Sequence, residues 1–70
     1  MVDQPRQALG ILEIIGVTPS MAALDAAEKA GTVRVVQIEL NDQLGLCIKL
    51  LGEVADVKAA VAAGDKVARQ

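Results

Sequence analysis

The run Ala8-Leu9-Gly10-Ile11-Leu12-Glu13-Ile14-Ile15 constrains this chain more than any other stretch. Apolar residues fall on both faces of an extended backbone, and Glu13 alone interrupts them. A short run of this kind suits a strand covered on at least one face. Gly16 ends it, and Thr18-Pro19-Ser20 opens a helix. Thr18 and Ser20 read as capping hydroxyls, and Pro19 fits the first helical position, where its missing N–H is not needed. An alanine-rich stretch then runs to about Ala30, with Met21 and Leu24 on one face. Asp25 and Lys29 stand four apart with the acid first, the favourable order for a pair. Gly31 stops the helix from the position just beyond its end.

Val33–Leu40 reads as a second strand with a split phase. Val33 and Val35 share one face, while Val36, Ile38 and Leu40 share the other. A bulge, or burial of both faces, accounts for such a split. Asn41, Asp42, Gln43, Leu44 and Gly45 make a turn by composition, and 46–51 forms a third strand in a hairpin with the second. Gly52 serves the turn into a second helix. That helix has Glu53 and Asp56 in its first turn, where carboxylates favour the helix dipole. Val54, Val57 and Val61 follow helical spacing and should pack on the sheet. Lys66 and Arg69 sit near the end, again with the favoured polarity. The order is β-α-β-β-α in an α+β domain. One further strand would complete the split βαβ of a ferredoxin-like fold.

Seventy residues make one small domain, a flexible lead at 1–7 followed by a folded unit at 8–70. Phe, Tyr, Trp and His are absent, and Cys47 is the only cysteine. A disulfide within the chain is excluded, and the usual zinc ligand sets are missing. Yet 53% of residues are apolar, almost all Ala, Val, Ile and Leu, which suit thin, close-packed layers. A chain too short to bury that surface alone points to self-association. The net charge is −2, with no basic block and nothing aromatic for bases to stack on, so nucleic acid is not an expected partner. The start of the chain is polar and no stretch approaches a membrane span, so a cytoplasmic protein is expected. No serine-hydrolase or phosphate-loop motif occurs, and Glu13 has no neighbouring acid or base to form a catalytic pair. It reads as structural, either a buried acid bonded to backbone or an exposed strand residue. Cys47, between Leu46 and Ile48, reads as a small buried hydrophobe. No enzyme activity, cofactor or metal is expected.

Four segments in order resemble the bacterial microcompartment shell-protein domain. Ala8-Leu9-Gly10-Ile11-Leu12-Glu13 is similar to that family's opening strand. Asp25-Ala26-Ala27-Glu28-Lys29-Ala30 is similar to the end of its first helix. Gly52-Glu53-Val54-Ala55-Asp56-Val57 resembles its entry to the second helix, and Ala63-Gly64 its late Ala-Gly pair. The resemblance implies a structural shell subunit that forms cyclic rings, either hexamers or, for tandem domains, trimers, with a six-fold ring expected here. The rings tile into a sheet with other shell proteins around a set of enzymes. It implies a central pore for small metabolites, lined by Asn41, Asp42, Gln43, Leu44 and Gly45. It also implies an inter-tile edge at Lys29, with Asp25 beside it; from composition alone Lys29 is a solvated helix-end lysine. Two departures stand out. The family's pore triplet is usually Gly- and Ser-rich, whereas Asp42-Gln43-Leu44 carries larger side chains, implying a narrower or more acidic opening or a pore of another kind. The family's last strand, beside the first, is missing, so that it either follows in a longer protein or comes from another chain. Some tandem-domain members hold an iron–sulfur cluster through a loop cysteine, but Cys47 lies beyond the loop and no cluster is carried over. The alternative is a small ferredoxin-like module that binds a regulatory ligand.

Overall fold

The computed structural model describes residues 7–42 and 44–70. Five elements follow in the expected order: β1 (Gln7–Ile14), α1 (Val17–Ala30), β2 (Val33–Leu40), β3 (Leu46–Glu53) and α2 (Val54–Ala68). Gln7 is thus the first residue of β1 rather than part of a lead, and residues 1–6 lie outside the described residues. The three strands form one antiparallel sheet in the order β1-β3-β2.

The register explains the split phase of β2. Val35 pairs with Leu50 and Gln37 with Lys49, leaving Val36 as the extra residue of a bulge. Opposed residues in an antiparallel pair share a face. The bulge therefore returns Ile38 and Leu40 to the face of Val33 and Val35, opposite Ile48 and Leu46. A bulge, and not burial of both faces, is the answer. β2 nonetheless stays open to solvent, with Ile38 46% and Leu40 80% exposed.

The core joins Leu12 and Ile14 of β1, Leu46, Ile48 and Leu50 of β3, and Ala23, Ala27 and Ala60 of the helices. The two helices approach too closely for large residues between them. A Cβ added to Gly64 would stand 2.6 Å from Leu12 Cδ1 and 3.2 Å from the Ala23 carbonyl oxygen. The buried stripe of α1 is accordingly Ser20, Ala23 and Ala27. Of the pair read as sharing one face, Met21 is 52% exposed and Leu24 is half-buried. On α2, Val57 is buried and Val61 half-buried, but Val54 lies outside. Gly10 makes room beneath those two valines, whose methyls would stand 2.7 and 2.8 Å from a Cβ there.

The helix ends also depart from expectation. α1 starts at Val17, with Gly16 (φ 90°) before it and no side-chain cap, so neither Thr18 nor Ser20 caps. Gly31 is extended rather than left-handed. Its value is space, because a Cβ would strike the backbone carbonyl of Asp56. Gly52 lies within β3, and Glu53 ends that strand, which leaves Asp56 as the acid of the first turn of α2.

Candidate functional site

The hairpin loop between β2 and β3 is closed on itself and tied to the body of the domain. The Asn41 backbone N–H donates to the Gly45 carbonyl oxygen at 3.0 Å. The Gly45 N–H donates back to Asn41 Oδ1 at 2.8 Å. Asn41 Nδ2 reaches across to the Ile14 carbonyl oxygen at 3.0 Å, which fixes the loop to the end of β1. Gly45 is buried against the same place, where any Cβ would collide with the Ile14 carbonyl.

Ser20 completes this anchor. The Leu46 N–H donates to Ser20 Oγ at 3.3 Å, and the hydroxyl donates to the Gly16 carbonyl oxygen at 2.6 Å. It is fully buried and links the start of α1 to the start of β3. From the chain alone it reads as a capping hydroxyl. Its helical phase with Ala23 and Ala27 was the signal that it faces inward.

Two described residues of the loop face solvent. Asp42 is exposed, Leu44 is 82% exposed, and Gln43 lies outside the described residues. Leu44 has φ 57°, which makes it the one non-glycine residue of positive φ among the described residues. A left-handed backbone costs a branched L-residue about 1–2 kcal/mol. Leaving a leucine in water forgoes about another 1.5–3 kcal/mol of burial. At 82% exposure, Leu44 has little packing against the described residues to offset either cost. Ile15, Val17, Met21 and Leu40, all half-exposed or more, lie at the same end of the sheet.

The second candidate place is the far end of α1. Lys29 Nζ stands 2.9 Å from Asp25 Oδ2, with the side chains 76% and 65% exposed. At 1.5 Å per residue this end lies roughly 14 Å along the helix from Ser20 and the loop it anchors. The two candidate places are therefore held apart on opposite ends of one rigid element.

One face of the sheet is open. Its cross-strand rows are Leu9–Leu51–Arg34, Ile11–Lys49–Gln37 and Glu13–Cys47–Glu39. Glu13 is exposed there, which decides between its two readings. Cys47 is only half-buried on this face, so it is not the buried hydrophobe expected. Lys49 Nζ lies 3.8 Å from Glu39 Oε1, a weak pair at this exposure.

The outer edge of β1 is unpaired among the described residues. A groove of about 850 Å³ runs along it, floored by Gly10, Leu12, Val57 and Val61. The Asp65–Arg69 pair (2.9 and 3.0 Å) rims it. This is the flank on which the resemblance puts a fourth strand. Among the described residues no group of His, Cys, Asp or Glu is arranged to hold a metal ion, and no helix is long and apolar enough to cross a membrane.

Residues 8–70 match the family model described as the BMC domain, the bacterial microcompartment domain. The chain belongs to the BMC-domain family. It is 35% identical over 66 residues to the bacterial microcompartment shell protein PduK of Citrobacter freundii, a match covering 93% of this chain and 42% of that protein. It is 36% identical over 64 residues to the carboxysome shell protein CcmK4 of Synechococcus elongatus, covering 91% of this chain and 57% of that one. Its structure superposes with a TM-score of 0.84 on a microcompartment protein from Desulfitobacterium hafniense DCB, at 25% identity over 90% of this chain and 35% of that one. The chain thus spans about half the length of the curated relatives it matches. The BMC domain's α+β architecture is the ferredoxin-like one expected.

Proposed function

We propose that this BMC domain is a structural, non-enzymatic subunit of a microcompartment shell in the bacterial cytoplasm. Copies associate into a cyclic ring, six to a ring, with the loop of Asn41, Asp42, Gln43, Leu44 and Gly45 around a central pore for small metabolites. Lys29, with Asp25 beside it, lies at the outer edge, where rings meet one another and other shell proteins. Enclosed enzymes are served indirectly, through what the pore admits.

The observation that carries this reading is the separation of two exposed places on one rigid unit. The loop is pinned to β1 and α1 through Asn41, Gly45 and Ser20, which suits a lining that must keep its shape. The Asp25–Lys29 pair lies in the last turns of α1, at the end away from the loop, where the rim of a ring would be. The exposed apolar residues near the loop supply surface for copies to bury.

Negative-stain imaging of the concentrated protein tests the reading. Rings that extend into sheets are expected. Lys29→Ala should leave the rings and abolish the sheets. Separate particles of single-domain size at every concentration would refute the ring, and unchanged sheets in Lys29→Ala would refute the edge.

A further inference from the structure

We propose that Leu44 is the constriction of the pore and sets its permeant class: compact uncharged molecules cross, whereas ions, anions above all, do not. The inference rests on the ring reading above. Three observations of this chain carry it.

Leu44 is the most exposed large apolar residue among those described, at 82%. Its left-handed backbone is one that glycine or asparagine adopts readily, and its side chain packs little against the described residues. Backbone outliers of this kind concentrate where function requires them. The loop is also locked at both shoulders, by Asn41 to the Ile14 carbonyl and by Gly45 packed against the same group. The Leu44 side chain is therefore presented from a fixed base at the hairpin tip.

When copies gather their loops around an axis, the leucines meet and remove apolar surface from water at the narrowest point. An apolar constriction opposes ions, because an ion must shed its hydration there with nothing in return. Asp42, exposed two residues earlier, adds a ring of acidic groups that disfavours anions further. A small neutral molecule meets neither barrier.

The test is the ion conductance of rings reconstituted in a planar bilayer, with the ring mass of each sample measured alongside. Wild-type rings should conduct KCl poorly. Leu44→Gly and Leu44→Asn, both compatible with the left-handed backbone, should raise conductance severalfold. Asp42→Asn should shift the reversal potential in a KCl gradient toward the anion and change conductance little. Leu44→Gly or Leu44→Asn rings that conduct no better than wild type overturn the constriction and leave the ring reading standing. A wild-type protein without rings overturns the ring reading, and the constriction falls with it.

Discussion

At Ser20 one hydroxyl serves two backbones. It accepts from the Leu46 N–H and donates to the Gly16 carbonyl, in a place closed to water. Ser20→Ala leaves a buried N–H without its partner, an omission worth about 1–3 kcal/mol. Urea denaturation should read that loss as a lower midpoint at unchanged slope. Gly45 is the matching case of space. Gly45→Ala drives a methyl into the Ile14 carbonyl, and overpacking of this sort costs about 1–3 kcal/mol. The same denaturation measurement checks it, and a neutral result would mean that the loop sits away from β1. Neither residue was legible as an anchor from the chain alone. Serine near a helix start reads as a cap, and glycine in a turn reads as flexibility. The long-range partner that decides each role, Leu46 for Ser20 and Ile14 for Gly45, is 26 and 31 positions away. Cys47 misled for a related reason: its apolar neighbours in sequence point to the opposite face of β3.

At the scale of elements, succession and type were legible because periodicity and punctuation agreed. β2 was expected and is found at Val33–Leu40, and its split phase left a bulge and burial of both faces open until the register placed a bulge at Val36. The helix faces were less legible. Size-blind hydrophobic spacing favoured Val54, while α1 turns the small residues Ser20, Ala23 and Ala27 inward and Gly64 of α2 packs on Ala23 and Ala27. That tightness is testable. Ala27→Leu should destabilise the domain by at least about 1–3 kcal/mol, the usual cost of overpacking, with a corresponding fall in thermal midpoint. β3, central in the sheet and carrying the fully buried Ile48 and Leu50, should hold the slowest-exchanging amides in hydrogen exchange. Faster exchange at Ile48 and Leu50 than along β1 would contradict the strand order.

For the whole molecule, what one chain leaves uncovered matters more than what it buries. Exposed leucine, isoleucine and valine lie on the open sheet face, along β2 and around the hairpin loop. The Asp25–Lys29 pair contributes only about 0.2–0.5 kcal/mol to its own helix. Lys29→Ala should accordingly shift stability by less than that while changing contacts between assemblies. A stability loss well beyond it would mean that Lys29 serves the fold. The apolar excess was visible in the sequence, and so was the departure of the loop triplet from its relatives' pattern. The left-handed leucine within that triplet was not, since it depends on how Asn41 and Gly45 close the loop. Native mass spectrometry of the concentrated protein tests the central claim most directly: the account predicts that a closed ring of six copies dominates, and a spectrum of monomer alone would contradict it.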